Sequence, residues 1–430
     1  MKNISILNLG ERAFDSPLYL NHEKGDVLPN FVNDGARIFN RIESGEGCSD
    51  EELAFEKAGP RDRMFFNPAV IRAAIVTCGG LCPGLNNVIR SLVLELYYNY
   101  GVRDICGIPY GYQGMGENSL KPMIALTPQM VDEINRQGGS ILGCSRGTPP
   151  VERIVDFLAT QKIDVLFTVG GDGTQRGALE ISQEVRRRGL LIAIVGVPKT
   201  IDNDISYVDR TFGVATAIER ATDVLEAAHA EARSYPNGIA LVKLMGRGSG
   251  FIAVGATLAS QQVNFVLVPE SSFKLDGKSG LLAVLKERIL RRHHALVVVA
   301  EGAGQDLVRG TRERDASGNV LLGDIGLFLK ENIAAYFFQE NVPINLKYID
   351  PSYYIRSVPA NTEDSILCDV YARHAVHAAM SGRTEMIVSL RRQFIHVPMD
   401  MATSARQRIS LDSDMWRSVL SSTGQPALLG

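Results

Sequence analysis

The stretch Thr168-Val-Gly-Gly-Asp-Gly-Thr-Gln-Arg-Gly-Ala178 constrains the fold of this chain more than any other segment. It follows Ile163-Asp-Val-Leu-Phe-Thr-Val169, an apolar run rich in β-branched and aromatic residues. It leads into Gly177-Ala-Leu-Glu-Ile-Ser-Gln-Glu-Val185, whose apolar residues recur at helical spacing. This pattern predicts a buried parallel strand that turns sharply into a helix. Glycines in such a turn let backbone amides approach an anion, and the helix start favours negative charge. Asp172 is then suited to hold a divalent cation against a bound phosphate. An ordinary βα turn also uses glycine for its positive φ, so the other segments have to decide between the two.

Two further turns have the same character. Ile71-Arg-Ala-Ala-Ile-Val-Thr77 reads as a buried strand entering Cys78-Gly-Gly-Leu-Cys-Pro-Gly84 and then a helix from Leu85 to Tyr98. Gly79 and Gly80 are placed to present amides to a phosphate. Leu190-Leu-Ile-Ala-Ile-Val-Gly-Val197 is a continuous apolar run, as a central parallel strand requires. It delivers Pro198-Lys-Thr-Ile-Asp-Asn-Asp204 to the sheet edge where ligands bind in open parallel sheets. Asp202 and Asp204, beside Lys199 and Thr200, make a compact acid-base and cation-binding cluster. Between these units a helix is expected after Thr127, with Pro128 at its first position. The glycine-rich loop Gly138–Gly147 follows and offers Arg146 to a polyphosphate.

Downstream, helices and strands keep alternating. A long helix is expected from Phe212 to Ser234, then a strand Gly238–Leu244 closed by Met245-Gly-Arg-Gly-Ser-Gly250. A further strand ends in Val268-Pro-Glu270, and His294–Ala300 ends in Glu301-Gly-Ala-Gly304. The alternation implies an α/β chain: two Rossmann-like lobes with largely parallel sheets. The domain reading is an N-terminal extension over residues 1–68 and a first lobe over 69–210, completed by part of 352–395. A second lobe spans 211–351, and a C-terminal segment, 396–430, packs on the lobes. The extension mixes charge with Gly, Asn and Pro, includes the acidic segment Glu43–Glu56, and shows little periodicity.

Composition narrows the function classes. A net charge of −3 argues against a nucleic-acid binder that relies on a broad basic surface. No run approaches a membrane span, and the first residues carry no secretory pattern, so the expected setting is cytoplasmic. The six cysteines lack disulfide or zinc spacing and read as reduced thiols. His374 and His377 can share a helix face and read as packing or surface residues.

Taken together, Gly171-Asp-Gly-Thr174, Pro198-Lys-Thr-Ile-Asp-Asn-Asp204, Leu244-Met-Gly-Arg247 and Tyr354-Ile-Arg356 resemble the phosphofructokinase family. The match runs from about Ala73 to Pro426 and is closest to the long ATP-dependent enzymes of plants, trypanosomatids and some bacteria. The resemblance implies an active site between the two lobes and transfer of the γ-phosphoryl of ATP to the 1-hydroxyl of fructose 6-phosphate with Mg²⁺. It implies that Gly79, Arg146, Gly171, Asp172, Gly173 and Thr174 cradle the ATP phosphates, with Asp172 and Asp204 on the metal. It makes Asp202 the catalytic base, with Thr200, Lys199 and Arg247 assisting. The sugar phosphate is assigned Thr200, Ile201, Asp202, Met245, Gly246, Arg247, Glu301, Tyr353, Tyr354, Ile355 and Arg356. A homodimer or homotetramer is implied, with fructose 6-phosphate and ATP as the partners.

Within the family, pyrophosphate users usually carry aspartate where Gly173 stands, whereas Lys199 occurs with pyrophosphate and is glycine in many short ATP enzymes. Gly173 bears on space for the larger donor, so ATP is expected and pyrophosphate is the alternative. A non-catalytic subunit of the same fold is the second alternative, and its mark would be a lost acid or phosphate-binding residue. Gly238 stands where short bacterial enzymes donate an arginine to a neighbouring subunit's site, so a shared site is not implied. With Leu94 where a second effector arginine would fall, regulation by ADP or phosphoenolpyruvate is not expected either.

Overall fold

The computed structural model describes residues 2–40, 52–116, 119–308, 313 and 320–430. Cys48, residues 43–51 of the acidic segment and much of the 309–323 excursion lie outside them. The chain divides into two compact units. The first comprises Met1–Thr200, Ile205–Gly213 and Val358–Ala405, the second Ile201–Asp204, Val214–Ser357 and Arg406–Gly430. The expected 396–430 segment is thus shared between the units.

Among the described residues, the first unit is built on a ten-stranded sheet. Its parallel heart runs Met386–Leu390, Ala193–Pro198, Val165–Gly170, Arg72–Thr77, Asp104–Ile108 in spatial order. Val165–Gly170 and Ala193–Pro198 are buried along their whole length, which is why both sequences are unbroken apolar runs. Helices Val151–Thr160 and Asp172–Arg187 set Ile154, Leu158, Ile181 and Val185 into the same apolar cluster as Val76, Leu166 and Ile194. Asp172 in the first turn and Arg186 and Arg187 in the last complement the dipole of the second of these helices. Helix Leu85–Leu94, prolonged by a π-helical turn over Glu95–Tyr100, packs against helix Thr362–Met380.

The strand order reverses at Arg72–Thr77. The next strand in the chain, Asp104–Ile108, lies on one side of it and Val165–Gly170 on the other. At such a switch point the connections leave in opposite directions and open a crevice at the carboxyl ends of the strands. The loops beginning at Cys78 and Gly171 both start there.

The second unit has a four-stranded parallel sheet in the order Phe265–Leu267, His294–Ala300, Gly238–Leu244, Asn345–Ile349. Helices Leu281–Arg292 and Ile325–Gln339 bury Leu285, Ile289, Leu329, Ile333 and Phe337 against Leu241, Val297 and Val299. Helix Val214–Ser234 packs on Gly238–Leu244 and on helix Phe251–Ser260.

One expected element is absent. No helix follows Thr127; residues 128–137 form turns and one 3₁₀ segment, Ile134–Arg136. The carbonyls of Asp132 and Gln137 are taken by the side chains of Arg90 and Asn86, and Asn86 Oδ1 accepts from Ile141 N–H. Side-chain bonds therefore replace the helical ladder, and Gly138 and Gly139 stop any extension.

The N-terminal residues contribute strands that their sequence does not announce. Lys2–Asn3, Arg37–Phe39 and Leu53–Lys57 join the large sheet, the last pairing antiparallel with Phe394–Pro398. A buried ion cluster fixes them. Glu56 Oε1 accepts from Arg61 Nη2 at 3.0 Å, from His396 Nδ1 at 3.0 Å and from Arg383 Nε. Asp34 Oδ1 accepts from both arginines at 2.9 Å. Removing Glu56, Arg61 or Arg383, the buried charged members, leaves a buried charge uncompensated, at a cost of about 3–5 kcal/mol.

The same unit carries a pH dependence. Burial pushes His374 down to about 3 and His396 down to about 4, and holds His377 well below the ordinary histidine range. These rings stay neutral in the native state, while the unfolded chain binds protons below about pH 6.5. Stability therefore falls as pH drops from about 6.5 toward 4, by on the order of 1 kcal/mol per pH unit for each buried ring. We expect a clearly lower thermal midpoint at pH 5.5 than at pH 7.5. Equal midpoints would contradict neutral burial of these histidines.

Candidate functional site

Three adjacent parallel strands of the first unit, Arg72–Thr77, Val165–Gly170 and Ala193–Pro198, end at the same edge of the sheet. Lys199 N–H bonds to Gly170 O at 3.0 Å, and Cys78 N–H to Val169 O at 3.0 Å, aligning the loops laterally. Lys199 is only 5% exposed, and its Nζ reaches across to Gly80 O at 2.8 Å. Gly79 has φ +84°, and a Cβ there would sit 3.2 Å from that ammonium. Glycine thus supplies both the left-handed turn and the clearance for the cation. Gly79 N–H bonds to Ser145 O at 3.0 Å, and Thr77 Oγ1 donates to Gly143 O at 2.7 Å, which draws the 143–146 loop onto the same rim. Arg146 is exposed there, and its carbonyl accepts from Gln113 Nε2 at 2.8 Å.

Helix Asp172–Arg187 starts at this rim with Gly171 as its N-cap and no side-chain cap. An uncapped helix start of this kind presents amides and the positive end of the dipole to an anion. Thr174 is folded back over Gly170, where a Cβ would lie 2.1 Å from its Oγ1, and Tyr112 OH bonds to Thr174 O at 2.8 Å. A Cβ on Gly173, by contrast, would meet nothing within 4 Å. Asp172 forms an ion pair with Arg176 one turn along the helix.

Gln175 belongs to this framework and is not evident from the sequence. Fully buried, it donates from Nε2 to Gly170 O at 3.0 Å and Val197 O at 3.3 Å, clamping two strand ends. Its only signal is a glutamine on the inward face of a helix's first turn.

The unit boundary runs through Pro198-Lys-Thr-Ile-Asp-Asn-Asp204: Lys199 and Thr200 belong to the first unit, Ile201, Asp202 and Asp204 to the second. In the second unit Asp202 Oδ2 faces the N–H of Arg247 at 3.4 Å, and Ser249 Oγ donates to Asp202 O at 2.6 Å. Asn203, at φ +53°, turns the chain so that Asp204 is buried, and Asp204 O accepts from Gln407 N–H at 3.0 Å. Burial first, then the charges of Asp204 and Glu301, push the Asp202 carboxyl up to about 7, against the opposing pull of Arg247. Burial likewise raises Glu301, and Arg247 offsets part of that.

Two glycines make this approach possible. Gly246 has φ +134°, and its carbonyl accepts from Gly302 N–H at 3.0 Å. A Cβ on Gly302 would fall 1.9 Å from Arg247 O. Only glycine lets the Glu301 turn lie against the Met245–Arg247 turn. Arg247 Nη2 in turn donates to Val320 O at 2.6 Å.

The helix Ser352–Arg356 belongs to the same unit. Tyr353 and Tyr354 are exposed, and the Arg356 guanidinium lies 4.8 Å from the Tyr353 ring centre. Arg356 Nε is buried and has no hydrogen-bond partner among the described residues. Ile355 is fully buried, so its side chain anchors the turn rather than facing a ligand. Gly238 is equally constrained, since a Cβ there would lie 2.0 Å from Ala232 O. An arginine is sterically excluded at that position.

Among the described residues no three His, Cys, Asp or Glu side chains converge as a cage for a metal ion. Asp172 and Asp204 fall in different units. What each unit offers is a hard carboxylate. That suits Mg²⁺, which takes one or two carboxylates and completes its octahedron with water and ligand phosphates.

A family model described as Phosphofructokinase matches residues 72–379. An ATP-dependent 6-phosphofructokinase of Borreliella burgdorferi is 47% identical over 435 residues, covering 99% of this chain and 97% of that protein. The ATP-dependent 6-phosphofructokinase 7 of Arabidopsis thaliana is 47% identical over 380 residues, covering 87% of this chain and 78% of that protein. Among solved structures, a pyrophosphate-dependent phosphofructokinase from Nitrosospira multiformis superposes with a TM-score of 0.68 at 19% identity, covering 84% of this chain and 92% of that one. At that identity the likeness concerns the fold alone.

Proposed function

Because the chain belongs to the phosphofructokinase family, we propose that it transfers the γ-phosphoryl group of ATP to the 1-hydroxyl of fructose 6-phosphate. The products are fructose 1,6-bisphosphate and ADP. The donor assignment is carried by Gly173. The uncapped helix start at Gly171 accepts phosphate, and the open space beside Gly173 leaves room for a third phosphate and a nucleoside. A carboxylate at that position would occupy the space and repel an α-phosphate.

In this reading the ATP phosphates rest against the amides of Gly79 and residues 171–174, with Lys199 and Arg146 neutralising their oxygens. Phosphoryl transfer depends mainly on alignment and charge neutralisation, and the buried ammonium of Lys199 is already held in place by Gly80 O. Asp172 and Asp204 would hold Mg²⁺, which when bound offsets charge on the transferring oxygens. The fit rests on their being hard oxygen donors at a helix start and at a buried turn.

Fructose 6-phosphate is assigned to Ile201, Met245, Gly246, Arg247, Glu301 and the 353–356 turn. The buried, unsatisfied Nε of Arg356 supports a phosphate there. A sugar hydroxyl is a poor nucleophile, and Asp202 accepts its proton as the bond to phosphorus forms. Thr200 aids in orienting the hydroxyl. The backbone N–H of Arg247 holds the carboxylate by Oδ2.

A non-catalytic role finds no support in the residues, since Asp172, Asp202, Asp204 and Arg247 are all present. No described helix is long and apolar enough to cross a membrane. A cytoplasmic homodimer or homotetramer is the setting this reading assigns. A coupled assay for fructose 1,6-bisphosphate, run with ATP as donor, tests the reaction directly.

A further inference from the structure

We propose that Lys243 is a positioning residue for fructose 6-phosphate, clamping the 353–356 turn to the strand that carries Met245 to Arg247. The inference rests on the sugar-phosphate reading above. Strand Gly238–Leu244 has two parallel neighbours, and their ladders end at different places. On one flank the pairing with His294–Ala300 runs to Leu244↔Ala300, but on the other the pairing with Asn345–Ile349 stops at Val242↔Ile349. Beyond Ile349 the chain departs toward the Ser352–Arg356 helix with no backbone ladder to hold it.

Lys243 takes over at that point. Its Nζ lies 2.9 Å from Asp350 Oδ2 and 3.0 Å from Asp324 Oδ2, and its side chain is only 12% exposed. The two carboxylates are start signals. Asp350 Oδ1 accepts from Ser352 N at 3.2 Å and from Ser352 Oγ at 2.5 Å, opening the short helix that ends in Arg356. Asp324 Oδ1 accepts from Leu327 N at 3.1 Å and caps helix Ile325–Gln339, while Tyr348 OH donates to the same oxygen at 3.4 Å. One ammonium therefore fixes, side by side, the strand leading into Met245-Gly-Arg247 and the turn bearing Tyr353 and Arg356. Leu244 O, the next carbonyl, receives the Glu301 N–H at 2.9 Å, so the Glu301 turn is registered to the same strand. Two stretches assigned to the sugar phosphate share the Lys243 ammonium, and the third, at Glu301, is registered to the same strand through its backbone.

A purely structural ion pair would affect folding and leave substrate selectivity alone. A positioning residue acts on one substrate, because displacing a contact by about 1 Å can cost up to 10²-fold in rate or affinity. We expect Lys243→Met to raise the KM for fructose 6-phosphate by about ten-fold or more while the KM for ATP stays within about two-fold. Lys243→Arg should restore most of the loss. Asp350→Asn, which weakens the pair without changing volume, should reproduce the selective rise and carries the test if Lys243→Met does not fold. Arg356→Ala is the arm that tests the underlying reading. If Arg356→Ala raises the sugar KM and neither clamp variant does, the positioning role is overturned. Equal rises in both KM values, or a lowered thermal midpoint alone, overturn it as well. If Arg356→Ala itself leaves the sugar KM unchanged, the sugar-phosphate reading falls and the inference falls with it.

Discussion

Replacing Asp202 with alanine is expected to lower kcat by about 10²-fold or more, with only a modest change in the KM for fructose 6-phosphate. The expectation follows from where the carboxylate sits. Its main chain is held by Ser249 Oγ and its Oδ2 by the Arg247 N–H, so the turn persists when the side chain is removed. What disappears is the proton acceptor. Asp202→Asn keeps the volume and should be nearly as impaired, because an amide does not accept the hydroxyl proton. Steady-state kinetics together with thermal melting check this. A loss of activity matched by an equal loss of folding stability would mean that Asp202 is structural.

Gly173→Asp is expected to cut kcat/KM for ATP by about 10²-fold or more, which corresponds to about 2.7 kcal/mol of transition-state stabilisation. The backbone there is ordinary helix, and a Cβ meets nothing within 4 Å, so the variant should fold normally. The substitution adds a negative charge beside an uncapped helix start proposed to hold phosphates. Gly173→Ala is the matching control and should lose little, since the methyl group enters open space without charge. An unchanged kcat/KM for ATP in Gly173→Asp, measured at saturating sugar phosphate, would remove the donor argument.

The features legible in the sequence are those whose physics is local. Val165–Gly170 and Ala193–Pro198 announce themselves because strands buried on both faces must be apolar at every residue. The turn at Gly79 is visible because its left-handed backbone favours glycine, and the one at Gly171 because a Cβ there would press on Lys199 O at 3.2 Å. Features set by distant partners are not legible. Residues 128–137 have a plausible helical composition, yet the carbonyls of Asp132 and Gln137 are taken by Arg90 and Asn86 of helix Leu85–Leu94. Leu53–Lys57 is a mixed-charge segment that becomes a buried strand because Glu56 finds Arg383 and His396 more than three hundred residues later. Lys243 reads as an ordinary polar residue in a strand until Asp324 and Asp350 close on it. Gln175 is equally silent, since its acceptors are backbone carbonyls of two other elements.

The site residues divide along the same line. Asp202 and Asp204 stand out because two carboxylates two residues apart follow an apolar strand, and the structure buries Asp204 and raises Asp202. Glu301 and Tyr353 to Arg356 have no local signature and enter through the family resemblance. Ile355 shows the limit of carrying a whole motif over, because its side chain belongs to the core.

Phosphorylation of fructose 6-phosphate from ATP is the activity proposed for this chain. Initial rates of fructose 1,6-bisphosphate formation with ATP and with pyrophosphate, at equal sugar phosphate and with Mg²⁺ present, test it most directly. Rapid turnover with ATP and little or none with pyrophosphate is expected. A faster rate with pyrophosphate would contradict it.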